Sequence, residues 1–404
     1  MGGPVKLSST TAVLIAVVAG AVFGAVLPEW GASLAIFGDI FLRLIQSVVA
    51  PLMFASLVVG VARAGSGKTM GRVGGKALLL FQVTATLSLV FGIAAAVLFR
   101  PGAGIPLAGD AATIPQNTTK LHDILLSPFP SSIADSIARG DILQIVVFAL
   151  LFGWACSSIG ERAEPVVRFC ESLSDVMFRY TDYVMLAAPI GIFGAMSAAI
   201  GTKGLGVLLS LGKLVFTVYG ALLVFTLVVL GPVLWYARVP LGRFFSLIRA
   251  PFVIAFTTTS SNVGLPVALE KMNELGVPRH ICALVLPFSM SFNTTGSNLF
   301  IALAAVFCAQ VAGVEMTMKQ LGVLLLTLLL TTKGIGAVPR GSLVILAGAL
   351  TQLGVPLEGV AMILGVDQLM DMARTGVNML GHCVATAAVA RWEGVELEKL
   401  EVHD

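Results

Sequence analysis

Long apolar runs constrain this 404-residue chain more than any other feature of its sequence. Nine of them occupy residues 11–27, 35–61, 77–99, 142–156, 184–200, 205–237, 280–311, 321–353 and 360–390. A helix that spans a bilayer needs about 20 predominantly apolar residues. Hydrophobic residues make up 57% of the chain and charged residues only 12%, against about 45–50% and about 25% in soluble proteins. The sequence therefore predicts an all-α polytopic membrane protein.

The composition argues against several other classes of protein. The net charge of +3 is too small for a nucleic-acid-binding surface. The five cysteines are odd in number and show neither a disulfide framework nor metal-ligand spacing. The sequence has no evident Ser-His-Asp set and no zinc-like cluster of His, Cys and carboxylates. We therefore expect no enzymatic activity, no metal, no cofactor and no nucleic-acid partner.

The distribution of Lys and Arg between alternate loops predicts how the chain is oriented in the membrane. One set of loops is richer and carries Arg63, Lys68, Arg72, Lys76, Arg162, Arg168, Arg238, Arg243, Arg249, Lys271 and Arg279. The opposing set is poorer and carries Arg100, Lys120, Arg139, Lys203, Lys213 and Lys319. Because cytoplasmic loops are enriched in these cations, we expect both termini in the cytoplasm and an even number of spans. Eight full spans fit.

Reaching eight spans requires that two apolar segments enter and leave the membrane on the same side. The first, residues 250–269, has a polar centre at 257–262, and the second, residues 321–353, is interrupted at 331–342. Lipid cannot satisfy the backbone polar groups of such tips, so each tip must be buried in protein or line a wet cavity. Both segments are predicted to be re-entrant helical hairpins.

The span that follows each hairpin is also unusual. The first is broken at residues 293–298, and the second carries a polar stripe. A hairpin followed by an interrupted helix, occurring twice with opposite entry sides, is the pattern of inverted repeats around a midplane substrate site. The alternative is two ordinary helices held together by Ser and Thr hydrogen bonds, which would break the charge bias of the loops.

The polar stripe of the last span is the strongest chemical signal. Asp367, Asp371, Arg374, Asn378 and His382 fall within roughly 80° of one another on one helical face. Ionisable groups inside a membrane usually face a bundle interior or a substrate path. A carboxylate beside a guanidinium suits a zwitterion that carries a further acid group. The alternative is an internal Asp371–Arg374 ion pair that only holds helices together.

At this point the chain resembles a known family, the glutamate/aspartate and C4-dicarboxylate:cation symporters, and within it the proton-coupled bacterial glutamate/aspartate branch. The resemblance runs along most of the chain. It is carried by the segments 41–45, 48–52, 259–261 with 265–266, 333–335 with 337–339, 365–367, 371–375 and 377–378. The last three of these segments are the most specific.

The resemblance implies a homotrimer with an elevator-type glutamate-transporter fold in the cell's inner (plasma) membrane. Its fixed scaffold would comprise residues 1–76, with spans 1 and 2, and 101–200, with an extracellular loop and spans 4 and 5. Its mobile transport domain would comprise residues 77–100, which form span 3, and 205–404. The second part would contain span 6, hairpin 1 at 245–275, span 7 at 280–312, hairpin 2 at 321–354, span 8 at 358–392 and a cytoplasmic tail.

The resemblance also implies roles for individual residues. Asp371 would contact the amino group of the substrate, and Arg374 would contact its side-chain carboxylate. Five further residues would complete the pocket: Thr375, Asn378, Ser297, Ser261 and Val338. The tip of the second hairpin would be the extracellular gate, formed by Pro339, Arg340, Gly341 and Ser342. Arg340 stands where the family would have a small residue, so its role is open between a surface charge and an additional anion contact.

Two departures from the family pattern concern the coupling ion. Sodium-coupled relatives have aspartates where this chain has Thr295, in the motif that starts at Asn293, and His382. Carboxylates compensate the charge of a hard cation in a low dielectric, so their loss argues against sodium coupling. We hypothesise that His382 carries or tunes a coupled proton, with Asp367 and Asp371 as competing carriers. The alternative is that His382 is a hydrogen-bonded packing residue.

The predicted function is import of L-glutamate or L-aspartate by symport with protons. Within the same class, the alternative is a proton-coupled C4-dicarboxylate symporter. From another functional class, the alternatives are an anion-conducting channel and a transporter-like sensor. The predicted partners are the small acidic substrate, protons and the lipid bilayer.

Overall fold

The computed structural model describes residues 9–62, 68–103, 129–139, 141–333 and 341–397, and within these ranges all regular secondary structure is helical. The helices of the first half are α1 (Ser9–Val26), α2 (Pro28–Ser33), α3 (Ala35–Ala62), α4 (Lys68–Phe99), α5 (Ile133–Arg139), α6 (Ile142–Ile159), α7 (Glu164–Leu186) and α8 (Ala188–Lys203). Those of the second half are α9 (Gly206–Phe225), α10 (Gly231–Tyr236), α11 (Leu241–Thr258), α12 (Ser261–Glu274), α13 (Arg279–Phe292), α14 (Thr295–Val311), α15 (Met318–Thr331), α16 (Gly341–Gln352), α17 (Glu358–Leu364) and α18 (Asp367–Trp392). The described residues therefore confirm the all-α part of the prediction.

Five helical stretches of the described chain are long and apolar enough to cross a membrane by length and composition. They are Arg72–Phe99, Gln144–Leu186, Gly206–Tyr236, Leu241–Thr258 and Arg279–Val311. The number of eight full spans and the re-entrant path of the hairpins remain predictions.

Two breaks in the helices fall where the sequence predicts interruptions. Helices α11 and α12 pack against each other and are joined only by Thr259 and Ser260, with Thr259 in a left-handed conformation (φ 51°). Helix α13 ends at Phe292, and α14 begins at Thr295 after two non-helical residues. A third break, at Gly365–Val366, divides the last predicted span into α17 and α18. Asp367 is therefore the first residue of α18.

The helices pack in two groups. Helices α1, α2 and α3 pack against α8, and α3 also packs against α6 and α7. In the second group α4 packs against α14, and α18 packs against α11, α13 and α14. Helix α18 thus lies at the centre of the second group, where most of its residues are buried.

The C-terminal end of α18 is tied to α4 by charge. Glu393 forms ion pairs with Arg72 at 2.6 Å and Lys76 at 2.7 Å, and Nζ of Lys76 donates to the carbonyl oxygen of Trp392 at 2.8 Å. Lys76, with Arg72 as the second cation, lowers the pKa of the Glu393 carboxyl below its usual value. A depressed carboxyl pKa stabilises the folded chain near neutral pH, and this contribution is lost as the pH falls through the folded-state value.

All five cysteines are free thiols with buried side chains. Cys156 and Cys170 lie on α6 and α7, and Cys282, Cys308 and Cys383 lie on α13, α14 and α18. Free cysteine behaves as a small hydrophobic residue, so apolar packing is sufficient to explain why these side chains are buried.

Candidate functional site

The first two turns of α18 hold a buried cluster of three ionisable side chains. Nη1 of Arg374 donates to Oδ1 of Asp367 at 2.8 Å, and Nε of Arg374 donates to Oδ1 of Asp371 at 2.9 Å. The three side chains are at most 7% exposed. The hydroxyl of Thr375 also donates to Oδ1 of Asp371, at 3.1 Å. The structure therefore brings together the charged residues that the helical spacing predicts on one face.

An aromatic ring supports the guanidinium from α14. The guanidinium carbon of Arg374 lies 4.3 Å from the ring centroid of Phe300, which is fully buried. A cation over an aromatic face is attracted by the ring quadrupole, and more strongly where water is excluded. The sequence did not indicate Phe300, because it lies in the apolar part of α14 that follows Asn298. Only the packing of α14 on α18 shows its role.

Asn378 joins α18 to the start of α14. Its Oδ1 accepts hydrogen bonds from the backbone N–H groups of Gly296, at 2.8 Å, and Ser297, at 3.2 Å. Its Nδ2 donates to the hydroxyl of Ser297 at 2.9 Å. The first N–H groups of a helix have no partner within the helix, so Asn378 satisfies two of these donors. The predicted pocket residues Asn378 and Ser297 are therefore adjacent and hold the broken span in place.

Gly296 allows this close approach of the two helices. A Cβ atom added to it would lie 2.3 Å from the backbone oxygen of Arg374. Any side chain at Gly296 would therefore push α14 away from α18 and disturb both the Asn378 bonds and the stacking of Arg374 on Phe300.

Asp367 belongs to the charged cluster, and the other residues predicted to couple an ion, Asn293, Thr295 and His382, lie on or beside α18 about two turns beyond Arg374. The amide of Asn293 donates to the carbonyl oxygen of Gly381 at 3.3 Å and accepts from the hydroxyl of Thr84 at 2.8 Å. The Thr295 hydroxyl and both nitrogens of His382 are buried and make no hydrogen bond within the described part of the chain. The structure therefore places Asn293 and Thr295 beside Gly381, one residue before His382, and apart from the charged cluster. Thr84 of α4 is a member of this group that the sequence did not indicate.

The structure describes only some of the residues that are predicted at the tips of the two hairpins. Ser261 is buried at the start of α12, which packs against α18. Ser342 is buried on α16, one residue after that helix begins at Gly341. The other predicted members of the second tip, Val338, Pro339 and Arg340, lie outside the described residues. Among the described residues no group of three or more His, Cys, Asp or Glu side chains has metal-binding geometry.

Comparison with known proteins identifies the family. Residues 10–392 match the sodium:dicarboxylate symporter family. The chain belongs to this family. The resemblance carried by its motifs is therefore confirmed, and this member of the sodium:dicarboxylate symporter family is a membrane transporter, not an enzyme.

Individual relatives of this family member match over most of its length. The proton/glutamate-aspartate symporter of Bacillus subtilis (strain 168) is 40% identical over 388 residues, which cover 94% of each chain. The C4-dicarboxylate transport protein of Anaeromyxobacter sp. (strain K) is 41% identical over 391 residues, covering 95% of this chain and 89% of the relative. The proton/sodium-glutamate symport protein of Bacillus subtilis (strain 168) is 37% identical over 403 residues, covering 97% and 94%. The family member described here is thus similar to symporters of acidic amino acids and to transporters of C4-dicarboxylates.

Proposed function

We propose that this protein imports L-glutamate or L-aspartate across the plasma membrane by symport with protons. The observation that carries the proposal is the buried pairing of Arg374 with Asp371 and Asp367 at the start of α18. A relative that is 40% identical over 94% of the chain is a proton/glutamate-aspartate symporter, which supports the same substrate and ion.

The cluster offers complementary groups to an acidic amino acid. In the structure Arg374 is engaged by two carboxylates of its own helix. A substrate ammonium group would bind Asp371, and the substrate side-chain carboxylate would take the place of an internal carboxylate on Arg374. The guanidinium suits this exchange because it presents several donors in one plane to a carboxylate. One buried internal ion pair is thereby replaced by two pairs with the substrate.

Charge balance favours coupling to protons. With all three groups ionised, Asp367, Asp371 and Arg374 carry a formal charge of −1, and an acidic amino acid adds a further −1. Two uncompensated negative charges are strongly disfavoured in a low dielectric. Protonation of Asp367 would remove one charge and release Nη1 of Arg374 for the substrate. We therefore propose Asp367, in place of His382, as the primary proton carrier, and His382 and Asp371 stay as competing carriers.

A C4-dicarboxylate is the second candidate substrate. The observation in its favour is the 41% identity to a C4-dicarboxylate transport protein. Such a substrate has two carboxylates and no ammonium, so it leaves Asp371 without a role in binding. The buried, hydrogen-bonded position of Asp371 supports the amino acid instead.

Uptake into reconstituted vesicles tests the function. We expect labelled L-glutamate and L-aspartate to accumulate under an imposed proton gradient in the absence of sodium, because the charge of the cluster requires protons. Succinate should compete weakly with L-aspartate. Uptake that requires a sodium gradient would overturn the coupling proposal, and current without accumulation would favour an anion-conducting channel.

Two substitutions identify the proton carrier. For each variant, substrate uptake into vesicles is measured as a function of pH. Asp367→Asn should abolish the dependence of uptake on a proton gradient, because the amide cannot take up the proton. His382→Asn should leave that dependence in place. The converse result would transfer the role to His382, and two unchanged pH profiles would exclude both residues as carriers.

The transport cycle proposed here is an elevator motion within a homotrimer, with both termini in the cytoplasm. The two packing groups of helices support it, because the proposed scaffold spans make up one group and the proposed transport spans the other. A cavity of about 750 Å³ is lined by α3, α8 and the start of α17. Across this boundary Nζ of Lys203 on α8 lies 3.4 Å from Oε2 of Glu358 on α17.

Cross-linking across that boundary tests the elevator motion. A Lys203→Cys, Glu358→Cys double variant, joined by a short bifunctional maleimide, should lose nearly all uptake because α8 and α17 could no longer slide past each other. Each single variant treated with the same reagent serves as the control and should retain uptake. Undiminished transport by protein shown by mass to be fully cross-linked would rule the motion out.

A further inference from the structure

An apolar groove runs along the second group of helices, on the side of α18 that faces away from the charged cluster. It has a volume of about 490 Å³ and is walled by α9, α11 and α18. Helix α18 contributes Ala373, Val377 and Leu380. At 100° per residue these three lie roughly 125° around the helix from the face of Asp371 and Arg374. The groove is therefore separate from the substrate site but shares a helix with it.

The groove contains one charged side chain among its described lining residues, Arg249 of α11. Arg249 is exposed and has no ion pair or hydrogen bond within the described chain. It directly precedes the apolar segment 250–269 and belongs to the loop set that is rich in Lys and Arg, so the predicted topology puts it at the cytoplasmic edge of the membrane. A cation at the cytoplasmic surface of a membrane attracts the anionic headgroups of that leaflet, so this guanidinium suits an anionic partner.

The remaining surface of the groove suits a hydrocarbon chain. On α11 the rings of Phe252 and Phe256 stack with their centroids 6.0 Å apart. The groove also includes Leu223 of α9 and Thr226, the first residue of the π-helical segment Thr226–Leu230 that follows α9. Along α11 the lining extends from Phe245 to Phe256, about 16 Å. The part of the lining from Arg249 to Phe256, about 10 Å long, runs from the membrane edge towards the middle of a hydrocarbon core about 30 Å thick.

We propose that this groove binds an anionic phospholipid. The phosphate pairs with Arg249, and one acyl chain lies along Phe252 and Phe256 towards the middle of the bilayer. Charge complementarity selects an anionic headgroup over phosphatidylcholine, whose choline would place a second cation beside the guanidinium. The proposal rests on the membrane location of the chain and not on which substrate it carries.

The bound lipid would pack close to the substrate-binding helix. A Cβ atom added to Gly376 of α18 would lie 3.0 Å from the ring of Phe252, so this wall of the groove already touches α18. Gly376 lies between Thr375 and Asn378, both members of the candidate site. Occupancy of the groove therefore restrains the rings that pack against the back of the site.

Native mass spectrometry of the purified full-length chain tests the proposal. The protein is equilibrated in detergent with phosphatidylglycerol or with phosphatidylcholine of the same acyl chains. We expect selective retention of phosphatidylglycerol, which Arg249→Gln weakens about fivefold, the effect of losing one cation that attracts an anionic lipid. The matched control is Arg238→Gln, which removes an exposed arginine outside the groove and should leave retention unchanged.

A second variant keeps the test decisive if Arg249→Gln does not fold. Leu223→Trp fills the exposed rim of the groove and leaves Arg249 in place, so it should displace phosphatidylglycerol from a protein of unchanged oligomeric mass. Equal retention of both lipids by the unmodified protein would overturn the proposal. So would undiminished phosphatidylglycerol binding by a folded Arg249→Gln protein. A change of oligomeric mass in Leu223→Trp would assign the groove to contact between copies of the chain instead.

Discussion

Arg374→Ala is expected to abolish concentrative uptake of acidic amino acids and to destabilise the folded protein by about 3–5 kcal/mol. The reason is that Asp367 and Asp371 are buried and both bind this guanidinium. Removing one partner of a buried ion pair leaves the remaining charge without compensation. Phe300 would also lose the cation that lies over its ring. The measurements are vesicle uptake and thermal unfolding in detergent.

A second arginine provides the matched control. Arg179 lies 3.5 Å from Asp182 three residues along α7, a spacing equal to that between Asp371 and Arg374, but its side chain is 67% exposed. Exposed pairs contribute about 0–1 kcal/mol, so Arg179→Ala should shift unfolding little and leave uptake near its original rate. Equal shifts in the two variants would show that burial does not govern the strength of the Arg374 cluster.

Asp371→Asn is expected to change which substrate the protein prefers. The amide oxygen can still accept from Nε of Arg374, so the fold is retained, but the negative charge that would bind a substrate ammonium is lost. A hydrogen bond to a charged group contributes about 1.5–3 kcal/mol, which corresponds to an affinity for L-aspartate about 10- to 150-fold weaker. Succinate has no ammonium group, so its affinity should not fall.

Competition between labelled L-aspartate and unlabelled succinate in vesicles measures this change. Thr375→Val is a suitable control, because it removes the neighbouring hydroxyl that donates to Asp371 while the carboxylate remains. A parallel fall in the affinity for both substrates would show that Asp371 positions Arg374 and does not bind the amino group.

Helical periodicity was sufficient to predict the core of the candidate site. Asp367, Asp371 and Arg374 are spaced by four and three residues, so they share a helical face in any α-helix that contains them. The break between α13 and α14 was predictable for a related reason, since a run of polar residues within an apolar span disfavours a continuous lipid-facing helix. These features depend on local sequence and on the membrane as solvent.

Contacts between distant helices could not be predicted in this way. Phe300 and Thr84 matter because α4, α13, α14 and α18 pack together, and nothing in their local sequence distinguishes them from other residues of apolar helices. The same holds for Asn378: its periodicity placed it on the polar face, but only the packing shows that it holds the start of α14. The break at Gly365–Val366 also went unpredicted, because its residues are compatible with a helix.

The burial of all five native thiols has a practical consequence for following this transporter in motion. Thiol-reactive dyes attack the ionised, accessible form of cysteine, and thiols sealed within packed helices react slowly. A single cysteine introduced at an exposed position, such as Glu358 of α17, should therefore take up a fluorophore or spin label selectively without removal of the native residues. Distances between such reporters can then be followed in the otherwise unmodified chain as substrate and pH are varied.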